Sequence, residues 1–305
     1  MVNIGITAAC RFEGSKGCYH GNAFCSMFNG WDQAKAEELD WQSGGAGDLR
    51  LEGGRVVKIY DDNREQAEVM QQVYAIDEVV DSPAALAEGV DAVIIADNGE
   101  FDKWKLGVPA IEKGLPIFID KPLAETGDEA QAIVDMAEAN GASVFSSSGF
   151  RWCDGAEAAR AALPGLGELS LMVGVSGQGQ YHVYGIHPTE MAYGILGPGT
   201  VSVVNVGEED RDILRLKRRD GVQVVLNMLW REVAAGGQQY TICGSQGWHQ
   251  ITDLGPVYLN MLGAFLEMCK TRVQPISNEE MVEVIRVVEA GRLSRERGGV
   301  EIALT

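Results

Sequence analysis

The tripeptide Asp120-Lys121-Pro122 is the feature of the sequence best suited to chemistry. It follows the apolar run 116–119, which has the length and composition of a buried strand. A lysine at the end of such a strand, fixed by the proline behind it, projects into a crevice rather than along a solvated helix face. Such a lysine either pairs structurally with Asp120 or acts as an electrophilic or proton-handling group. The residues alone leave both roles open.

His187 lies in a second polar stretch, and histidine is the residue whose charge changes near neutral pH. A helix would place Glu190 on the same face as His187, and Tyr184 offers a phenol three residues earlier. The alternative to a functional role is that His187 is a structural histidine packed beneath a sheet. A metal site built on His187 and Glu190 is disfavoured because no further His or Cys ligands stand at suitable spacing, so we predict no metal.

A glycine-bearing loop follows the predicted strand 2–8 and leads into a helix. It does not match the GxGxxG pattern in register, because Ala8 and Ala9 stand where close-approach glycines are usual. The loop can still wrap a pyrophosphate with the backbone of Gly14, Gly17 and Gly21, with Arg11 or Lys16 adding charge. We therefore predict cofactor contacts at Ala8, Ala9, Cys10 and Arg11. His20, just beyond, lies either beside a nicotinamide or simply near the start of the helix.

Two carboxylates, Asp61 and Asp62, follow the second predicted strand, 55–60. A carboxylate at this position can accept both ribose hydroxyls of an adenosine and repel a 2'-phosphate, which favours NAD over NADP. The simpler interpretation is that Asp62 or Asn63 caps the helix that begins at Arg64. Both roles are compatible, with Asp61 on the ribose and Asn63 as the cap.

Ligands of a doubly wound sheet bind beyond the carboxyl ends of its strands. The remaining predicted cofactor contacts follow the later strands and are Ala96, Asp97, Asn98, Asp120 and Lys121. Predicted substrate contacts are Arg151, Trp152, His182 and Glu190. For the Arg151 and Trp152 pair, simple packing is the alternative.

Strand-length apolar runs alternate with helical periodicity in the first half, which predicts βαβ units and a parallel, doubly wound Rossmann sheet. The predicted strands are 2–8, 55–60, 92–96, 116–119 and 143–146, with helices at 21–29, 64–74, 83–88, 103–113 and 127–140. The second half predicts a mainly antiparallel sheet from strands 169–175, 201–206, 213–218, 222–230 and 239–243, followed by helices 257–270 and 278–296. We place the division at residue 150, giving domains 1–150 and 151–305.

Composition excludes several classes of partner. A net charge of −19 over 305 residues would repel a phosphate backbone, so nucleic acid is not expected. No apolar run reaches the length of a membrane span, and the N-terminus lacks signal-peptide features. The six cysteines form no CxxC pair and are predicted to be reduced thiols in a cytoplasmic protein.

The segments 91–96 and 112–126 resemble the signature of the Gfo/Idh/MocA family, named for glucose-fructose oxidoreductase and inositol dehydrogenase. In that family a Glu-Lys-Pro or Asp-Lys-Pro tripeptide carries the active-site lysine, here Lys121. Segments 261–268, 275–281 and 294–299 resemble the family's closing helices. The resemblance implies a Rossmann domain followed by an α+β domain with an open-faced sheet, and NAD(P)-dependent oxidation or reduction of a sugar, cyclitol or related polyol.

The family also carries an aspartate and a histidine four residues apart. His187 matches the histidine, but Val183 stands at the aspartate position. The resemblance implies that Lys121 and His187 act on one substrate hydroxyl, with His182, Tyr184 or Glu190 compensating for Val183. It also implies a homo-dimer or homo-tetramer. Two alternatives are a tightly held NAD used without net redox change and a non-catalytic ligand-binding homologue.

Overall fold

A computed structural model describes residues 1–7, 16, 18–41, 49–96, 101–177, 179–230 and 237–304. Its contacts divide the chain into two compact units. The first comprises Met1–Ala124, Glu129–Ser147 and Met261–Asn278, and the second comprises Glu125–Asp128, Ser148–Asn260 and Glu279–Thr305. Each unit therefore consists of three separate stretches of the chain. The predicted functional domains, 1–150 and 151–305, are instead continuous in sequence. That functional division stays a prediction.

The first unit contains a six-stranded parallel sheet in the order β3-β2-β1-β4-β5-β6. Its strands β1 to β6 are Val2–Thr7, Gly54–Tyr60, Glu78–Val79, Ala92–Ile95, Ile117–Ile119 and Val144–Phe145. β4 and β5 are buried along their whole length, as expected for apolar strands covered on both faces. The chain reverses direction across the sheet between β1 and β4, which confirms the predicted doubly wound Rossmann topology.

The helices α1 to α6 are Tyr19–Asn29, Gln33–Glu38, Arg64–Val73, Pro83–Leu86, Val108–Glu112 and Gly127–Ala139. Asn63 caps α3 by accepting a hydrogen bond from the Gln66 N–H, as predicted. The single helix predicted at 103–113 is instead a 3-10 helix, Lys103–Gly107, followed by α5. Pro109 ends the regular hydrogen-bond ladder there, because proline has no N–H to donate.

A cluster of aromatic rings holds helices against the first sheet. Phe118 of β5 lies at its centre, with ring centroids 5.9 Å from Phe24, 5.3 Å from Phe145 and 6.0 Å from Phe265. The rings meet edge-on or tilted, which their quadrupoles favour over face-to-face stacking. Phe24 belongs to α1, so this packing fixes the helix whose first turn carries His20.

The second unit contains a seven-stranded sheet in the order β12-β11-β7-β10-β9-β8-β13. Its strands β7 to β13 are Leu169–Gly177, Thr200–Asn205, Arg211–Arg218, Gln223–Leu229, Gln238–Gly244, Gly247–Ile251 and Ile302–Ala303. The β7 and β10 pair is parallel and every other neighbouring pair is antiparallel, which confirms the predicted mainly antiparallel sheet. Alternate residues of β9 and β10 are buried, so one face carries the core and the other is open.

The later helices α7 to α11 are Asp154–Ala162, Tyr181–Tyr184, Ile186–Leu196, Leu259–Thr271 and Asn278–Glu296. α9 is buried on nearly all sides, so its sequence shows no polar face by which a helix could be recognised. No helix among the described residues is long and apolar enough to span a membrane.

Tyr181 is a buried tyrosine of the second unit whose hydroxyl has no hydrogen-bond partner among the described residues. Burial raises its pKa well above the usual value. The ring packs against Gly291, where an added Cβ would lie 2.0 Å from the phenol oxygen. A buried hydroxyl without a partner costs about 1–3 kcal/mol.

We expect Tyr181→Phe to raise the free energy of unfolding by about 1 kcal/mol, because it removes this penalty without opening a cavity. Tyr193→Phe is the matched control, since the Tyr193 hydroxyl donates to Glu283 Oε1 at 2.6 Å. That control should lower stability by about 1–2 kcal/mol. Urea titration of the three proteins measures both changes, and a destabilised Tyr181→Phe variant would contradict the assignment.

Candidate functional site

The carboxyl ends of β1, β2, β4 and β5 lie at one edge of the parallel sheet, since parallel strands share their direction. Asp61, Ala96 and Asp120 each follow directly on one of these strands and are all buried. The Ala96 N–H donates to the Thr7 carbonyl at 2.9 Å, and the Asp120 N–H donates to the Ile95 carbonyl at 2.9 Å. The structure therefore brings these predicted cofactor residues to the same edge.

Asp120 uses its two carboxylate oxygens on two different partners. Its Oδ1 accepts the backbone N–H of Lys121 at 2.9 Å, and its Oδ2 contacts Nδ1 of His20. Asp120 and Lys121 are only 1 % and 2 % exposed. The His20 ring also stacks on Phe24 at 5.7 Å between centroids. The pairing of Asp120 is thus with the backbone of Lys121 and the side chain of His20.

Lys103 is a fully buried lysine that sequence analysis missed as a site residue. Its Nζ donates to the carbonyl oxygen of Lys121 at 3.4 Å. Lys103 shares the buried face of its segment with Gly107, Ala110 and Ile111. This helical spacing was the available signal, because a solvated lysine would be expected on the opposite face. Both the N–H and the C=O of Lys121 are therefore held by buried polar side chains.

The residues at this sheet edge fit a dinucleotide. Thr7 ends β1 with a fully buried hydroxyl that has no partner among the described residues. Asp61 accepts the Asn63 N–H at Oδ1 at 3.0 Å, and a carboxylate is an acceptor-only group of the kind that ribose hydroxyls can donate to. Asp62 is exposed and accepts the Tyr60 hydroxyl at 2.7 Å. The predicted cofactor residues Ala8, Ala9, Cys10, Arg11, Asp97 and Asn98 lie outside the described residues.

The start of α1 is fixed to the same edge by a cysteine. Cys18 is the N-cap of α1, and its Sγ accepts the Gly21 N–H at 3.0 Å. The thiol also donates to the Ala96 carbonyl at 3.5 Å. This arrangement ties the first turn of α1, which carries His20, to the end of β4.

His187 lies in the first turn of α9 in the second unit and is 8 % exposed. Its Nδ1 is 2.7 Å from the hydroxyl oxygen of Ser148. The ring lies 5.0 Å from that of Phe150 and 5.7 Å from that of the half-buried Tyr184. The structure thus places the predicted Tyr184 beside His187 and adds Ser148, which sequence analysis did not identify.

Glu190 forms an ion pair with Arg151. Its Oε2 accepts from Nε of Arg151, whose Nη1 also donates to Glu280 at 2.6 Å. Burial acts to lower the pKa of Arg151, but the two carboxylates outweigh it and the pKa is raised. This buried ion triad links α9 to α11 and the 3-10 helix Gly149–Trp152. The guanidinium is a strong partner for a buried carboxylate, and whether Glu190 also compensates for Val183 or contacts substrate stays a prediction.

The other predicted substrate residues are less enclosed. Trp152 is half-buried and accepts the Asn260 side-chain N–H at its carbonyl at 2.9 Å, and His182 is exposed on α8. Their contact with substrate stays a prediction. Among the described residues, no group of three or more His, Cys, Asp or Glu is arranged to hold a metal ion.

Comparisons with known proteins agree with this architecture. Residues 21–148 match a family model described as an oxidoreductase family with an NAD-binding Rossmann fold. Inositol 2-dehydrogenase of Paracoccus denitrificans is 37% identical over 94 residues, which is 30% of this chain and 28% of that protein. Inositol 2-dehydrogenase/D-chiro-inositol 3-dehydrogenase of Shouchella clausii is 32% identical over 97 residues, which is 31% of this chain and 28% of that protein. The matched stretches therefore span less than a third of these relatives.

Solved structures resemble the whole chain. Myo-inositol 2-dehydrogenase from Lactobacillus plantarum aligns with a TM-score of 0.79 at 14% identity, covering 100% of this chain and 99% of its own. Myo-inositol dehydrogenase from Lactobacillus casei, in complex with NAD(H) and myo-inositol, aligns with a TM-score of 0.78 at 15% identity, covering 100% and 97%. At these identities the likeness shows the fold alone.

Asp120 provides a test of this arrangement that does not depend on activity. We expect Asp120→Ala to lower the free energy of unfolding by at least about 2 kcal/mol, because the Lys121 N–H and His20 both lose a buried partner. Asp135→Ala is the matched control, since Asp135 is exposed and accepts a hydrogen bond from the side chain of Gln131. That control should change stability by less than about 0.5 kcal/mol. Equal effects in a urea titration would contradict the arrangement.

Proposed function

We propose that this chain is a member of the Gfo/Idh/MocA family of oxidoreductases, and that it is an NAD-dependent dehydrogenase acting on a secondary hydroxyl of an inositol or related polyol. The observation that carries the proposal is Lys121, buried at the end of β5 with its N–H and C=O both held by buried side chains. A lysine held so tightly at a ligand-binding sheet edge is suited to act on a ligand.

Oxidation of a secondary alcohol requires the hydroxyl to lose its proton as the carbonyl forms. Lys121, as a cation, would hold the substrate oxygen and stabilise its developing negative charge. His187 would accept the proton, and Tyr184 beside it is the substitute if His187 does not. Bound NAD supplies the hydride acceptor. That Lys121 and His187 act on one hydroxyl is part of the proposal.

The substrate class is proposed from the curated relatives. Both are named as inositol dehydrogenases, and both match this chain over short stretches. An inositol presents several secondary hydroxyls on a ring, which suits one lysine and one proton acceptor acting at a single carbon. Sugars and sugar acids offer the same group, so a screen includes them.

We further propose that two copies of the chain associate through the open face of the second sheet. The face carries half-buried or exposed apolar side chains at Leu171, Val173, Val175, Val225 and Trp248. Its central strands β7 and β10 place no charged residue there. The neighbouring strand β9 adds Arg211, Arg215 and Lys217 to the same face. The uncharged stripe of β7 and β10 is therefore the part of the face that can meet its own copy without like-charge repulsion, in an isologous contact.

Lys121→Met should fold and bind NAD while turnover falls about a hundredfold or more, because the stem's bulk remains but the charge is lost. The substrate is first identified by screening inositols, other polyols and sugar acids for NADH fluorescence. Lys105→Met is the control, since Lys105 is an exposed lysine of the neighbouring 3-10 helix.

An unchanged rate in Lys121→Met would make the lysine structural and remove the proposed active site. Turnover without added cofactor, by protein that retains NAD through purification, would instead favour the reaction without net redox change. Ligand binding with no turnover in any condition would favour a binding protein.

The nucleotide preference should depend on Asp61. We expect NAD to bind at least about tenfold more tightly than NADP, because the buried carboxylate repels a 2'-phosphate and accepts ribose hydroxyls. Asp61→Ala should reduce the ratio of the NAD affinity to the NADP affinity, as measured by calorimetry. Asp62→Ala is the control that tells whether Asp61 or Asp62 sets the preference for NAD, since Asp62 is exposed and accepts a hydrogen bond from Tyr60. Loss of the preference in Asp62→Ala alone would transfer the role to Asp62.

A further inference from the structure

We propose that Ser148 is the positioning residue of His187, in place of the carboxylate that Val183 cannot supply. This inference rests on the proposed function, since it concerns the residue assigned there to proton transfer. The two residues lie 39 positions apart in the sequence, and their side chains meet at 2.7 Å between Ser148 Oγ and His187 Nδ1. Both belong to the second unit.

Ser148 is itself rigidly held. It is fully buried, and it is the N-cap of the 3-10 helix Gly149–Trp152. Its Oγ accepts the Phe150 N–H at 3.2 Å, while its backbone is extended, with φ −78° and ψ 141°. A side chain that is fixed by its own cap bond presents its hydroxyl in one direction. Ser148 therefore offers His187 a pre-set partner rather than a mobile one.

The ring of His187 is confined by the two aromatic residues beside it. Phe150 lies at 5.0 Å with an interplanar angle of 36°, and Tyr184 lies at 5.7 Å with an angle of 38°. These contacts restrict the ring plane but do not distinguish the two nitrogens, which differ only in their hydrogen bonds. The bond to Ser148 supplies that distinction and assigns Nδ1 to the protein.

A hydroxyl can serve His187 throughout a proton transfer. Ser148 has one O–H to donate and two lone pairs, one of which takes the Phe150 N–H. It can therefore accept from a protonated Nδ1 or donate to an unprotonated one. When a substrate O–H bond breaks, the proton joins Nε2 while the Nδ1 proton remains on its bond to Ser148. With Nδ1 committed in this way, proton exchange with substrate passes through Nε2.

The other polar candidates near the sequence position of Val183 are placed differently. Glu190 forms an ion pair with Arg151, which also forms an ion pair with Glu280. His182 is exposed on α8. A carboxylate partner would be an acceptor only and would add a negative charge beside the ring. The hydroxyl of Ser148 orients the ring without adding that charge.

The kinetic test is a double-mutant cycle between Ser148→Ala and His187→Gln. We expect Ser148→Ala to lower kcat about 10- to 100-fold, with the affinity for NAD unchanged, because the ring loses its orientation. In the His187→Gln background the same change should have no further effect. Ser148→Thr keeps a hydroxyl and should recover most of the lost turnover.

An equal loss in both backgrounds would overturn the inference, because Ser148 would then act through its helix cap rather than through His187. A Ser148→Ala variant with unchanged kcat, measured while His187→Gln is impaired, would overturn it as well. Calorimetry with NAD shows whether each variant is folded and competent to bind.

A second readout needs no substrate. The chain has four histidines, so ¹⁵N labelling of histidine gives few ring signals, and His187→Gln assigns the one of interest. We expect Ser148→Ala to shift the Nδ1 signal of His187 and change its tautomer balance, while His20, His182 and His249 keep their signals. An unchanged His187 spectrum would overturn the inference.

Failure of the proposed role of His187 and failure of the positioning role of Ser148 give different results. If His187→Gln turns over substrate at the unmodified rate, the proposed role of His187 fails, and the ring spectrum still decides whether Ser148 positions it. If His187→Gln is impaired and Ser148→Ala has no effect on rate or spectrum, the proposed function stands and the positioning role fails.

Discussion

The buried carboxylate of Asp120 is the interaction on which the candidate site of the first unit depends. A carboxylate that is 1 % exposed must have its oxygens paired, and the two partners are the Lys121 N–H and the His20 ring. One partner is the backbone of the proposed catalytic lysine, and the other lies in the first turn of α1. The same pairing that satisfies Asp120 therefore fixes the end of β5 relative to the start of α1.

Lys103 adds a second constraint of the same physical kind. A buried ammonium needs acceptors, and the Lys121 carbonyl is one of them. Since the N–H and the C=O of Lys121 both serve neighbouring buried groups, moving the Lys121 backbone would leave polar atoms unsatisfied on two sides. The cost of that displacement gives the lysine its fixed place at the sheet edge.

In the second unit the corresponding constraint is the ion triad of Arg151, Glu190 and Glu280. Breaking a buried ion pair on one side leaves an uncompensated charge. Gly194 of α9 permits the approach of Arg151, since an added Cβ would lie 2.8 Å from the Arg151 side chain. The triad thus fixes α9, and α9 carries His187. Glu190 is a structural anchor for the helix on which the proposed proton acceptor stands.

The sequence predicts this fold well where local pattern and burial agree. β4 and β5 are continuous apolar runs, and β9 and β10 alternate, so their periods identify them. β3 is too short to show a strand period. α9 is buried on nearly all sides, so its sequence lacks the exposed polar face by which a helix is recognised. Lys121 and His187 are proposed as site residues because each matches a local motif of the family, and their roles stay predictions.

Ser148 was missed because its role depends on a contact across 39 positions of the sequence. The family pattern directs attention to position 183, four residues before the histidine, where helical spacing would bring a partner to it. A hydrogen bond, however, requires only that the partner's oxygen reach Nδ1, from whatever part of the chain the fold supplies. The presence of valine at position 183 therefore shows only that this position supplies no partner for His187. The orientation of His187 is decided by the 3-10 helix that Ser148 caps.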